Sequence, residues 1–180
     1  MSDSLKINPG ILPEEGLRLK FSEGPSWFEH CFAGSELPEF SLVTAEVDCL
    51  ITRSGATVYI RGRLEAAIRQ ECSRCLEPAT LSVGGDFAYT LVPDKEEFEE
   101  EIELSAAELE TGYYRGDFID LSPLICEQIV LQVPIKVLCS EDCKGLCPRC
   151  GTNLNRGSCH CRLEDVDERL AVLKNFRVKN

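Results

Sequence analysis

Apolar and polar residues alternate along much of the first half of the chain, the mark of half-buried strands. Leu17, Leu19 and Phe21 alternate with Arg18, Lys20 and Ser22, and Leu5-Lys-Ile-Asn before Pro9-Gly10 is a shorter extended piece. Two long runs, Phe40 to Arg53 and Ala56 to Gln70, are rich in Val, Ile, Leu, Thr and Tyr, and Ser54-Gly55 between them predicts a hairpin turn. In the second run Val58, Ile60 and Leu64 point one way while Arg61 and Arg63 point the other. A third run, Ala79 to Pro93, carries Leu81, Val83, Phe87, Tyr89 and Leu91, with Gly84-Gly85 predicting a bulge or bend. Together these runs predict an antiparallel β-meander or a partly open barrel.

The period then changes to that of helices. Trp27, Phe28 and Phe32, after Pro25, suit a helical turn packed on the core. Leu121, Ile125, Ile129 and Val133 recur at helical spacing, with Ser122 the expected N-cap, Pro123 the first helical residue and Pro134 the stop. Val166, Leu170 and Leu173 share one face of Asp165 to Phe176, with acids at its start and Lys174 and Arg177 near its end, predicting a closing helix. The expectation is α+β. Residues 1–135 form a β-rich scaffold with one helix near 122–133, and 136–180 form a cysteine-rich module with its closing helix.

Charge sharpens this division. The 180 residues carry a net charge of −12, which repels phosphate backbones and argues against indiscriminate nucleic-acid binding. Residues 136–180 nevertheless hold nine Lys or Arg against six Asp or Glu, while 1–135 hold ten against twenty-five. Residues 94–110 contain nine acids and one Lys, a run unfit for a sheet interior. It reads as a solvated loop or short helix, or as an arm that mimics nucleic acid or engages a basic protein. The N-terminal Met1-Ser-Asp-Ser-Leu-Lys lacks a basic region followed by an apolar run, and no stretch approaches the roughly 18 apolar residues of a membrane span. The expected location is cytoplasmic, with reduced thiols and no membrane contact.

Chemistry concentrates in cysteine. Six of the eleven cysteines fall between Cys139 and Cys161. Cys147-Pro-Arg-Cys150-Gly is the most specific piece: Pro148 pre-sets one turn angle, and Gly151 can take the positive φ needed as the chain leaves the turn. Cys159-His160-Cys161 follows, and Cys72-Ser-Arg-Cys75 lies between two strands. The pairs 72/75, 139/143, 147/150 and 159/161 supply eight thiolates, enough for two tetrahedral sites. The preferred partition joins Cys147, Cys150, Cys159 and Cys161 locally, and joins Cys72 and Cys75 to Cys139 and Cys143, stapling the module to the sheet. Cys31, Cys49 and Cys126 are left as unpaired core residues.

Other readings stay open. The clustered cysteines can form disulfides in an oxidising compartment, Cys72 and Cys75 can be buried thiols, and His160 can replace a neighbouring thiolate as ligand. A thiol-disulfide redox pair at Cys72 and Cys75, with Arg74 lowering a thiolate pKa, wants a helix N-terminus in a βαβ unit, whereas this pair lies between strands. No Gly-rich phosphate loop, nucleophile elbow or HExxH is present, so no enzyme is expected. Lys144, Arg149, Arg156 and Arg162 are the candidate phosphate or partner contacts, without interleaved aromatics for base stacking.

Cys72-Ser-Arg-Cys-Leu-Glu-Pro, Asp120-Leu-Ser-Pro-Leu and the block Cys143-Lys-Gly-Leu-Cys-Pro-Arg-Cys-Gly-Thr-Asn-Leu-Asn, followed by Asp167-Glu-Arg-Leu, resemble the YceD family, the large ribosomal RNA subunit accumulation proteins of bacteria and plastids. The resemblance implies a role in producing or stabilising large-subunit ribosomal RNA. It implies as partner either that RNA or a large-subunit ribosomal or assembly protein. It brings no catalytic residue, and it suits one or two structural zinc ions.

Overall fold

The computed structural model describes residues 5–94 and 111–161. The expected closing helix, Arg162 and all of the acidic run except Asp94 lie outside the described residues.

The described chain runs β1 (Lys6–Ile7), a 3-10 turn (Pro9–Ile11), β2 (Leu17–Glu23), α1 (Pro25–Cys31), β3 (Ser41–Ser54), β4 (Thr57–Glu71), β5 (Pro78–Pro93), β6 (Thr111–Tyr114), β7 (Ile119–Asp120) and α2 (Leu121–Gln132). The main sheet has the linear order β2-β3-β4-β5-β6, antiparallel from β2 to β5, so the meander alternative describes it. β1 pairs with β7 in a separate two-stranded ladder. α1 packs on β3, α2 packs on β4 and β5, and the helices touch each other.

That packing follows from the alternation. Val47, Cys49 and Ile51 of β3, Ile60, Leu64 and Ile68 of β4, and Phe87 and Leu91 of β5 meet Phe28 of α1 and Leu121, Ile125 and Ile129 of α2 in one core. Burying each of the larger aliphatic side chains contributes about 1.5–3 kcal/mol. The opposite face stays polar. Lys20, Asp48, Arg63 and Asp86 stand in one cross-strand row, and Asp48 receives both Arg18 at 2.8 Å and Lys20 at 2.9 Å.

Several local expectations are corrected. Ser54 still pairs with Thr57, so the hairpin loop is Gly55-Ala56, with Gly55 at φ 62°. Gly84 and Gly85 remain in register with Glu65 and Leu64, and the register shift falls instead between Leu42 and Thr44. That shift lets Leu42 and Ala45, three residues apart, both face inward. Gly84 serves close approach, since a Cβ there would clash with the Leu64 carbonyl oxygen. β6 was not expected as a strand and runs parallel to β5. A parallel neighbour needs a crossover of about a dozen residues or more, and the chain between Asp94 and Thr111 has that length.

The second helix begins two residues early. Asp120, rather than Ser122, is the N-cap, its Oδ1 accepting the Ser122 N–H at 2.9 Å. Ser122 instead accepts the Trp27 indole N–H at 3.4 Å. Cys31 and Cys126, expected to be unpaired and reduced, instead form a disulfide between α1 and α2. The two helices lie side by side on one sheet face, a relation across 95 residues that no sequence spacing reveals. Cys49 is a core thiol as expected, and burial, with some help from the Asp48 carboxylate, pushes it up to about 11.

Candidate metal centre

The four close cysteine pairs are brought together as two tetrads, Cys72, Cys75, Cys139 and Cys143 forming one and Cys147, Cys150, Cys159 and Cys161 the other. Within each tetrad all four sulfurs lie within 4.8 Å of one another. Cys75 and Cys139 sulfurs are 3.5 Å apart, and those of Cys72 and Cys143 3.7 Å. A tetrahedron with metal–sulfur bonds of about 2.3 Å has edges of about 3.8 Å, whereas a disulfide needs about 2.05 Å. The chemistry of the donor set therefore fits a soft or borderline divalent ion such as zinc.

Two turns of the same design build the tetrads. In the β4–β5 turn the Cys72 N–H bonds the Glu77 carbonyl and the Leu76 N–H bonds the Cys72 carbonyl, both at 2.9 Å. In the second turn the Cys147 N–H bonds the Thr152 carbonyl at 2.8 Å and the Gly151 N–H bonds the Cys147 carbonyl at 2.9 Å. The residue after each second cysteine has a positive φ, 60° at Leu76 and 72° at Gly151. Each turn thereby aims backbone N–H groups at its sulfurs: Arg74 and Cys75 at Cys72, Glu77 at Cys75, Cys150 and Arg149 at Cys147, and Thr152 at Cys150. The remaining ligand candidates arrive on less regular chain, Cys139 and Cys143 after α2 and Cys159 and Cys161 at the end of the described residues.

Electrostatics divide each tetrad in the same way. In the inner tetrad, burial pushes the Cys72 thiol up, but the backbone N–H groups of Arg74, Cys139 and Cys75 bring it down to about 6. Cys143 is also lowered, first by the Asn155 amide. The Glu77 N–H favours the Cys75 thiolate, yet burial and the Cys72, Cys139 and Cys143 sulfurs push it up to about 12. Cys143 raises Cys139. In the outer tetrad Thr152 lowers Cys150 to about 6, and the N–H groups of Cys150 and Arg149 lower Cys147. There the Cys161 N–H lowers Cys159, but neighbouring sulfurs led by Cys147 raise it on balance, and sulfurs led by Cys150 push Cys161 up to about 12. Two thiols up and two down is what mutual repulsion imposes, and a dication at the centre is what lets all four ionise.

The tetrads share a scaffold that the cysteine spacing did not disclose. Arg74 Nη1 donates to the Cys143 carbonyl at 2.7 Å, and the Leu146 N–H bonds the Arg74 carbonyl at 3.0 Å. Asn155 donates to the Cys143 sulfur at 3.3 Å while its Oδ1 accepts the Lys144 N–H at 2.7 Å. Glu77 receives Asn153 at 3.2 Å and Arg156 at 2.8 Å. The available signal was the Asn153-Leu-Asn155 spacing, which forms an Asx turn with the Asn155 N–H on Asn153 Oδ1 at 3.0 Å. Of the candidate contact cations, Lys144, Arg149 and Arg156 are all exposed on this module, and Arg156 also pairs with Glu77. His160 is exposed between the two cysteines that complete the outer tetrad.

Among the described residues no helix is long and apolar enough to cross a membrane. No solved structure matches the chain. An uncharacterised protein of Mycobacterium tuberculosis is 31% identical over 132 residues, covering 71% of this chain and 59% of the relative. The chloroplastic large ribosomal RNA subunit accumulation protein YCED homolog 1 of Arabidopsis thaliana is 26% identical over 164 residues, covering 79% of this chain and 50% of the relative. Its namesake in Zea mays is 29% identical over 141 residues, covering 64% and 48%. The chain thus spans about half the length of the curated relatives it matches. The model of the family described as large ribosomal RNA subunit accumulation protein YceD matches residues 60–177, from near the start of β4 through every cysteine of both tetrads, and the chain belongs to that family.

Proposed function

We propose that the protein is a non-enzymatic factor that supports the synthesis, processing or stability of large-subunit ribosomal RNA, acting in the cytoplasm through a module held by two structural zinc ions. The observation that carries this reading is the coincidence of the family match with the double-tetrad scaffold. The sheet supplies one knuckle, residues 136–180 supply the other ligands, and the ions tie the two parts together. Lys144 and Arg149, both exposed, are the proposed contacts for a phosphate or an acidic partner surface, and Arg162 is their expected companion. Arg156 acts mainly in holding the module to Glu77.

The overall charge of −12 favours a ribosomal or assembly protein as the main contact, with RNA approached only through the basic module. A thiol-disulfide function for Cys72 and Cys75 is the weaker reading, because both are buried against Cys139 and Cys143 and exchange needs an accessible thiolate. The test is depletion of the protein in its host, followed by quantification of large- against small-subunit ribosomal RNA. A selective fall in large-subunit RNA, restored by the wild type but not by Cys147→Ser, is the expected result. Unchanged RNA ratios would refute the reading.

A further inference from the structure

The tetrads match in ligand type but differ in access. Three cysteines of the inner tetrad are buried, Cys72 at 0%, Cys75 at 4% and Cys143 at 3% relative exposure, and only Cys139 is exposed. Leu138 and Leu146 pack against this group, and Asn155 covers the Cys143 sulfur. In the outer tetrad only Cys147 is buried, Cys150 is exposed, and Cys159 and Cys161 are half-buried. A cleft of about 520 Å³ opens on that group, with Cys147, Cys159 and Cys161 in its wall beside Lys144, Asn155 and Ser158.

We propose that the inner tetrad is a permanent staple, and that the outer tetrad is an oxidant-responsive zinc site that releases its ion to hydrogen peroxide while the inner ion stays. This rests on the reading of both tetrads as zinc sites. An outer thiolate reached through the cleft attacks the peroxide O–O bond, giving a sulfenic acid and hydroxide. A neighbouring thiolate of the same tetrad then attacks that sulfur, expels a second hydroxide and forms a disulfide. Each disulfide supplies two electrons to one peroxide. With two of four ligands lost the ion leaves, and residues 147–161 lose the constraint that orders Lys144 and Arg149 against the inner site. Peroxide or a sulfenic acid at the exposed Cys139 meets the buried Cys72, Cys75 and Cys143 sulfurs only when the packing of Leu138 and Leu146 opens, and the need for that opening slows disulfide formation in the inner tetrad.

The test uses the full chain purified in its zinc-loaded form. Total zinc is measured after acid release, and release from the native protein under peroxide is followed with a chromogenic zinc indicator. One zinc per chain is expected in a fast phase and one in a phase slower by about tenfold or more. Peptide mapping should place the early disulfides among Cys147, Cys150, Cys159 and Cys161. A Cys150→Ser, Cys161→Ser variant should retain one zinc and show only the slow phase. Two zinc ions leaving in one phase, or early oxidation at Cys72, Cys75 or Cys143, would overturn the inequality while leaving two zinc sites standing. Loss of both ions from the outer variant would overturn the independence of the sites. An untreated chain without zinc would overturn the zinc reading and this proposal with it.

Discussion

Leu76 occupies in the β4–β5 turn the position that Gly151 occupies in the second cysteine turn. Each follows the second cysteine of a Cys-x-x-Cys, each sits at positive φ, 60° and 72°, and each donates its N–H to the first cysteine's carbonyl at 2.9 Å. The two turns are one backbone motif written with different residues.

The pair predicts opposite responses to exchange. A non-glycine residue at left-handed φ costs about 1–2 kcal/mol, part of which glycine returns through its freedom in the unfolded chain. Leu76 is 58% exposed and loses little packing on truncation. Leu76→Gly should therefore raise stability by about 0.5–1 kcal/mol in thermal or denaturant unfolding. Gly151→Leu, with open space around the added side chain, should instead weaken zinc retention at the outer tetrad in a chelator competition. A neutral outcome at both positions would remove strain as the distinction between them.

Glu77 bridges the two halves of the metal scaffold by receiving both Asn153 and Arg156. The Arg156 pair is largely exposed and screened by solvent, so Glu77→Ala should cost only about 0.5–1 kcal/mol. Glu77→Gln keeps an acceptor for Asn153 and should cost less. Hydrogen exchange of the 153–156 backbone should quicken in both variants, most in the alanine variant.

The cap of α2 separates Asp120 from Ser122. Asp120→Ala should cost about 1 kcal/mol and Asp120→Asn a few tenths, because asparagine also caps. Ser122→Ala should cost less than Asp120→Ala and should change Trp27 fluorescence, since it removes the acceptor of the indole N–H. Equal losses at the two positions would restore Ser122 as the cap.

Asp48 supplies the pH dependence. Hydrogen bonds from Arg18 and then Lys20 hold its carboxyl well below the usual carboxylate range. A carboxylate with a lowered folded pKa adds stability above its unfolded value of about 3.9, and that contribution is lost as pH falls from there through the folded value. Asp48→Asn should thus melt below the wild type at neutral pH, and the two melting curves should converge in acid. A difference that persists unchanged into acid would show that charge is not its source.

Much of the architecture was legible because it rests on local pattern. Alternation placed β2 to β5 within a residue or two, and the four-residue spacing of Leu121, Ile125 and Ile129 placed the buried face of α2. Cysteine spacing also anticipated which thiols share a cluster, since tight turns deliver them in pairs. The misses are long-range or conformational. The Cys31–Cys126 disulfide joins elements 95 residues apart, β6 depends on a parallel pairing, and the register shift between Leu42 and Thr44 interrupts the alternation of β3. Leu76 hid the likeness of the two knuckles, because sequence reading looks for glycine where φ is positive.

Whether each tetrad holds an ion is decided by elemental analysis of protein purified without added metal. Two zinc ions per wild-type chain are expected, and one in the Cys72→Ser, Cys75→Ser variant. One ion in both proteins would dismantle the inner site, and a wild-type chain without zinc would refute both sites.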